Sequence, residues 1–269
     1  MDEQVKLEIR SGIGVITLNR PEAFNAFHAP MIGNLAEKLI GLSSHKKVAG
    51  VVLTGAGKAF CAGGDLKGLS TSGMSHGAAF HALAAAYHQA IVEIRRMPKP
   101  VVAAVNGLAA GGGFSMALAC DFRVMDESAI FRQAYTSNGL SVDGGGTFTL
   151  PRLVGLAKAM EILAFDRPIS AEQALTWGLV TEVVENGQAV NRALDMVQEI
   201  TKLPLSSFLA SKKLLTDSFH TPFEHQLEKE REFLAWCSDH PNGQEGIKAF
   251  LEKRSPVYNR MQAQSCKGT

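Results

Sequence analysis

Cysteine is scarce and scattered. Cys61, Cys120, Cys237 and Cys266 are the four in 269 residues, and no two stand in C-x-x-C spacing. That argues against both a disulfide framework and a zinc ribbon, and it makes reduced thiols in a cytoplasmic protein the expectation. An excess of one charge is lacking too. Lys and Arg number 27 against 26 Asp and Glu, a net charge of +1, so the basic stripe that nucleic acid would need is missing. No apolar run is long and uniform enough to cross a bilayer, so no membrane partner is expected. The opening MDEQVKLEIR is polar and mixed in charge, unlike a signal peptide, and QAQSCKGT matches no familiar targeting tail. There is no H-E-x-x-H and no other metal-ligand spacing, so no metal is expected. Solenoid repeats and low-complexity tracts are absent.

What remains is an ordinary globular balance, 46% hydrophobic and 20% charged, in a chain long enough for one large domain with a real core or for a domain plus an appendage. Its rhythm is strand, glycine-rich loop, helix. Ile13, Val15 and Thr17 alternate with Gly14, Ile16 and Leu18 as a strand. Met31, Leu35, Leu39 and Leu42 then follow at helical spacing behind Pro30, which suits a first turn. AGVVLTG (residues 49–55) and KPVVAAVNG (residues 99–107) read as buried parallel strands. The first leads into GAGKAFCAGGDLKGLS, read as a glycine loop, then a helix over 78–96; the second leads into GLAAGGGFSMALA, a glycine loop that opens a buried helix. Further strands are expected at 122–125, 129–133 and 179–184. Beyond about Thr201 the β-branched runs stop and helical patterning continues to Tyr258. The expectation is α/β, with ligands at the carboxyl ends of strands.

Two nucleotide motifs fail on inspection. Gly57-Lys58 is followed by Ala59, which breaks a Walker A loop, and Gly111 and Gly113 are followed by Met116 where a dinucleotide fingerprint needs glycine. GMSHG (residues 73–77) has the letters of a nucleophile elbow but follows DLKGLSTS, which is no strand; the plainer reading is a loop of small residues.

The two glycine loops carry two readings. Glycine lets backbone N–H groups approach a ligand, and the helix beginning at the second loop adds unpaired donors and the positive end of its dipole. Two loops on adjacent strands could therefore aim two N–H groups at one oxygen, an oxyanion hole. Equally, the glycines could serve close strand–helix packing alone. Asp143, in NGLSVDGGGTFTLPRLVG, is open in the same way: it suits the N-cap of the helix that follows, or a carboxylate at a pocket edge.

Taken in order, LNRPEAFNAF, VVLTGAGKAFCAGGDL, KPVVAAVNGLAAGGGFSMALACDFRV, GLSVDGGGTFTLPRLVG, ISAEQALTWGLVTEVV and GIKAFLEKRSP resemble the crotonase superfamily, the enoyl-CoA hydratase/isomerase family. The resemblance spans about residues 10–260. It implies an α/β crotonase spiral of ββα units in residues 1–200 and a helical trimerisation region in 201–269, with a homotrimer or homohexamer as the assembly. It implies an acyl-CoA thioester substrate, CoA being part of that substrate, so no separate cofactor is expected. By motif position, the oxyanion donors would be the N–H groups of Gly64 and Gly112.

The resemblance does not fix the reaction. The two glutamates that hold water in hydratases of this family correspond to Ser115 and Tyr135, so an ordinary two-glutamate hydratase is not expected. Asp143 instead matches the single aspartate of several isomerase branches, among them dienoyl-CoA isomerases and the ring-opening isomerases of phenylacetate degradation; VDGGGTFTLPR looks closest to the latter. A competing likeness is to 4-chlorobenzoyl-CoA dehalogenase, whose nucleophilic aspartate and histidine correspond to Asp143 and His88, although its tryptophan and phenylalanine at the positions of Tyr135 and Gly64 are not kept; an atypical hydratase adding water through Asp143 and His88 is the related alternative. His88 could otherwise be a helix residue packed beside the pocket, and Tyr135 a hydroxyl donor or a pocket wall. A third possibility is a protein that binds acyl-CoA without turnover; RNA binding, known in some members, is disfavoured by the near-neutral charge. Along the CoA path the resemblance implies Ala23, Phe24, Ala62 and Lys67, with Phe250 and Lys253 reaching from a neighbouring subunit. The lysines would suit CoA phosphates, or be surface charges.

Overall fold

The computed structural model describes residues 3–259; Cys266 lies outside them. Ten strands, in chain order, are β1 (Val5–Arg10), β2 (Ile13–Leu18), β3 (Gly50–Gly55), β4 (Ala59–Cys61), β5 (Val101–Val105), β6 (Leu108–Ala110), β7 (Phe122–Asp126), β8 (Ile130–Arg132), β9 (Ile169–Ser170) and β10 (Glu182–Val184). The helices are α1 (Ala29–Ser44), α2 (Leu66–Ser70), α3 (His76–Arg96), α4 (Gly112–Ala119), α5 (Gly146–Val154), α6 (Leu156–Phe165), α7 (Ala171–Thr176), α8 (Ala189–Thr201), α9 (Leu205–Ser218), α10 (Phe223–Asp239) and α11 (Pro241–Leu251).

The strands form two sheets. One runs β1-β2-β3-β5-β7-β10, parallel except for the β1–β2 hairpin; the other runs β4-β6-β8-β9, parallel except for β8–β9. The unbroken apolar runs of β3 and β5 have a simple cause: both faces are covered. Val51, Leu53, Val101 and Ala103 join the main core with Leu35 and Leu39 of α1 and Ile91 and Ile94 of α3. Val52, Val102 and Ala104, pointing the other way, join Ala189, Ala193, Met196 and Val197 of α8. Each fully buried Val or Leu contributes about 1.5–3 kcal/mol of transfer free energy.

Several sequence expectations need correction. The stretch read as one glycine loop after β3 contains β4 and α2; three-residue strands such as β4 and β6 are too short to show a period. The polar N-terminal segment forms β1, an edge strand with one buried end at Val5 and a largely wet remainder. The expected 179–184 strand is shortened to β10, because the carbonyl of Leu179 accepts from the Arg123 side chain at 2.6 Å. Helical structure does not reach Tyr258: α11 stops at Leu251, Lys253 turns into the left-handed region at φ 53°, and Pro256 disfavours helical backbone at Ser255 before it.

Candidate active site

β4 and β6 lie side by side and parallel, pairing Ala59 with Leu108 and Cys61 with Ala109. Their carboxyl ends therefore deliver the two glycine loops to one place. The approach is close enough that a methyl on Gly63 would sit 3.0 Å from the Gly112 nitrogen. Phe27 lies alongside: its N–H donates to the Gly63 carbonyl and its carbonyl accepts from Asp65 N–H, both at 2.8 Å, which leaves Gly64 between them. Among the described residues, neither the Gly64 N–H nor the Gly112 N–H donates to a protein acceptor. Both glycines line a cavity of about 330 Å³.

The three glycines at the start of α4 do different things. Gly111 adopts φ 54°, ψ −124°, a conformation closed to other residues, and starts the helix. Gly112 passes so near Phe27 that a methyl would lie 2.7 Å from the ring. Gly113 packs on β4, where a methyl would lie 1.9 Å from the Cys61 carbonyl oxygen. Packing and N–H presentation are thus both served, by neighbouring residues. The helix also begins one residue earlier than Gly113.

Asp143 lines the same cavity. It does not cap α5: the cap position is Gly145, with no side-chain bond, because Gly144 and Gly145 at φ 60° and 73° carry the chain round before the helix starts. The carboxylate is taken instead by Tyr135, whose hydroxyl donates to Oδ1 at 2.5 Å. Burial, and then the Asp143 charge, push the Tyr135 hydroxyl far above its ordinary pKa, with a small opposing effect from Ser115. His88, half-exposed on α3, has Nε2 at 4.0 Å from Asp143 Oδ2 and accepts the Gly144 N–H at 3.3 Å on that nitrogen.

The loop bearing Tyr135 is held from below. Ala134 stands at φ 53°, a left-handed conformation that costs an alanine on the order of 1 kcal/mol. The buried Asp166 carboxylate compensates: it accepts the Ala134 N–H at 2.8 Å, the Ser137 N–H at 3.3 Å and the Ser137 hydroxyl. Gln133, also buried, accepts the Tyr135 N–H at 3.2 Å.

Of the other residues singled out in the sequence, Ala62 lines the cavity, and its N–H donates to the Phe24 carbonyl, which ties it to the Pro21–Ala23 turn. Phe24 is half-exposed in a left-handed conformation. Lys67 is exposed on α2. Phe250 and Lys253, at the far end of α11, do not line the cavity; Phe250 is 82% exposed. Ser75 of GMSHG caps α3 by accepting the Ala78 N–H and follows a helix, not a strand, so it is no elbow. Sequence reasoning missed Phe27, Leu66 and Leu140 in the cavity's apolar wall; Phe80 and Leu83 fall in the small-residue stretch 70–89, which reads as a pocket wall in the sequence. The helical spacing of Phe80, Leu83, Ala84 and Tyr87 held the signal for the α3 part of it. Among the described residues, no three His, Cys, Asp or Glu side chains gather as a metal site, and no helix is long and apolar enough to cross a membrane.

The sequence matches the family described as enoyl-CoA hydratase/isomerase over residues 8–261. The chain belongs to that family. It is 33% identical to the 1,2-epoxyphenylacetyl-CoA isomerase of Escherichia coli over 266 residues, covering 96% of this chain and 99% of the relative. It is 32% identical to 4-chlorobenzoyl coenzyme A dehalogenase-2 of an Arthrobacter species over 253 residues, covering 94% and 92%. A crystal structure of an enoyl-CoA hydratase from Polaromonas sp. JS666 superposes with TM-score 0.89 at 36% identity, covering 95% of this chain and 99% of that one. The two sheets and C-terminal helices are therefore the α/β crotonase fold, and the protein is an acyl-CoA enzyme of that family. An isomerase, a dehalogenase and a hydratase stand at similar distance, so the family alone leaves the reaction open.

Proposed function

We propose that this protein is an enoyl-CoA double-bond isomerase in which Asp143 shuttles a proton and the N–H groups of Gly64 and Gly112 hold the thioester oxygen. One observation carries the reading: among the described residues, the one carboxylate lining the cavity, held by Tyr135, faces two backbone donors that have no protein acceptor. A thioester carbonyl received by those donors would put its C2 within the cavity that Asp143 lines. The carboxylate takes a C2 proton of a 3-enoyl thioester; the electron pair moves onto the carbonyl oxygen as a dienolate, which the two N–H groups and the α4 dipole stabilise. The carboxylic acid so formed exchanges its proton with solvent and delivers a proton to C4, giving the 2-enoyl isomer with no net gain or loss of atoms. Tyr135, neutral and donating, keeps the base oriented.

A hydrolytic reading stands second. The 4.0 Å separation of His88 and Asp143 favours it, since an aspartyl ester would need a nearby base to activate water. The Gly144 N–H weakens it, because it occupies the Nε2 lone pair that such a base would use. The names of two relatives, a 1,2-epoxyphenylacetyl-CoA isomerase and a 4-chlorobenzoyl coenzyme A dehalogenase, add ring-epoxide and aromatic acyl thioesters to the substrates to be tried.

For the rest of the substrate, the reading places CoA along Ala23, Phe24, Ala62 and Lys67. Residues 1–200 form the binding and catalytic core and 201–269 the oligomerisation region. Phe223, Leu234, Trp236 and Leu251 support the latter, being apolar yet exposed on the single chain. In a homotrimer or homohexamer, Phe250 and Lys253 of one subunit would reach CoA on the next.

The test is incubation with 2-enoyl, 3-enoyl, cyclic-enoyl and 4-chlorobenzoyl thioesters in deuterated water, followed by mass spectrometry. Deuterium entering a 3-enoyl thioester without addition of water is the expected result. A water adduct, or loss of chloride, would overturn the isomerase reading.

A further inference from the structure

Tyr87, a buried polar side chain at the centre of the site, has no part in the proposed proton shuttle. Tyr87, on α3, is wholly inaccessible to solvent. Its hydroxyl donates to the Gly112 carbonyl at 2.5 Å. Its ring stacks on Phe27 with centroids 4.7 Å apart and planes at 27°. Phe27 in turn brackets Gly64 through the two backbone bonds to Gly63 and Asp65. On its other edge the ring packs on Gly144, the residue after Asp143: a methyl there would lie 2.4 Å from Cε1 and 2.6 Å from the hydroxyl oxygen. The next residue, His88, accepts the Gly144 N–H. One side chain therefore touches the Gly112 segment, the ring beside Gly64 and the Asp143 loop.

We propose that Tyr87 is a positioning residue: its hydroxyl fixes the Gly112 segment, and its ring spaces that segment from the Asp143 loop, so that the oxyanion donors and the base are held in one geometry. The inference rests on the reading of Gly64 and Gly112 as the oxyanion donors. A core tyrosine must find an acceptor, but a phenylalanine would fill the same volume without needing one. The hydroxyl is thus the informative part. Burial keeps it a neutral donor by raising its pKa well above the ordinary tyrosine value. A donor lost or displaced by a fraction of an ångström changes a reaction that depends on alignment far more than it changes ligand binding.

The test uses hexanoyl-CoA labelled with ¹³C at the thioester carbonyl. Its infrared carbonyl stretch reports hydrogen bonding at the oxygen, and exchange of its C2 protons in deuterated water reports enolisation. Bound to the unaltered protein, the stretch should move to lower frequency than in the free thioester. In Tyr87→Phe most of that displacement should vanish and C2 exchange should fall about tenfold, while the dissociation constant stays within about twofold. A merely structural role would lower the melting temperature and leave the carbonyl stretch displaced. If Tyr87→Phe does not fold, Phe27→Leu is measured instead: it keeps the hydroxyl but lets the ring tilt away, and should produce the same loss. An unchanged displacement with unchanged exchange in the variant overturns the role of Tyr87. No displacement in the unaltered protein at saturating thioester would instead remove the oxyanion reading, and this inference with it.

Discussion

Tyr135 and Asp143, eight residues apart, meet hydroxyl to carboxylate at 2.5 Å on the wall of the cavity that Gly64 and Gly112 also line. The pairing sets both partners. The carboxylate oxygen Oδ1 is engaged, so in the proposed isomerisation Oδ2 is the oxygen left to take a proton. The tyrosine is buried beside a negative charge, which holds its own proton in place.

Asp143→Asn removes the proton acceptor but keeps the shape. Turnover of a 3-enoyl thioester should fall by at least about a thousandfold, within the range for a lost general base, with CoA-thioester binding nearly unchanged. Deuterium incorporation and isothermal titration read the two separately. Full turnover in the variant would sink the assignment of the base.

Tyr135→Phe should lower kcat roughly ten- to hundredfold by freeing the carboxylate, with a smaller change in KM. The sign of the Tyr135 shift adds a pH expectation. A raised pKa keeps the donor protonated, so the rate should show no alkaline fall from this residue between about pH 8 and pH 10. A fall there that disappears in Tyr135→Phe would mean the hydroxyl titrates in use.

His88→Gln divides the two reactions proposed for the site. Double-bond migration needs only Asp143 and should survive within about threefold. Hydrolysis of an aspartyl ester needs a base to activate water and should drop by roughly a hundredfold or more. Rates on 3-enoyl and 4-chlorobenzoyl thioesters give the answer; loss of isomerisation in this variant would put His88 into the proton path.

Asp166→Ala strips the strained Ala134 of its N–H acceptor and Ser137 of two. A stability loss of about 2 kcal/mol is expected from the unpaired donors, read by urea unfolding. The Tyr135 loop should relax as well, so kcat should fall more than KM changes. A variant as stable and as active as the original would show that the loop holds itself.

Gly113→Ala and Gly111→Ala separate packing from backbone conformation. At Gly113 a methyl collides with the Cys61 carbonyl at 1.9 Å, and a loss of more than about 3 kcal/mol is expected. At Gly111 nothing lies closer than 3.9 Å, and the backbone strain of φ 54°, ψ −124° should cost about 1–3 kcal/mol. Melting temperatures of the pair test the order; the reverse order would contradict the packing at α4.

Much of this was legible in the residues. The runs around Val52 and Val102 announce strands buried on two faces, and the face of α1 follows from the spacing of Met31, Leu35 and Leu39. The motifs also pointed to Gly64, Gly112 and Asp143. What the residues left open was which reading of each would hold. Asp before a helix usually caps it, and only the two positive-φ glycines after Asp143 deny it that place. Tyr135 could have been a wall, and nothing local says that its hydroxyl meets a carboxylate.

The amino-acid sequence by itself determined the layered α/β plan, the glycine loops and the family, because these depend on local periodicity and on motifs that survive translation along the chain. Only the tertiary structure decided which of those residues meet. Parallel pairing of β4 with β6 brings Gly64 beside Gly112 across 48 residues, and α3 carries Tyr87 and His88 in behind them. Those meetings depend on strand order and packing, which no single stretch of sequence encodes.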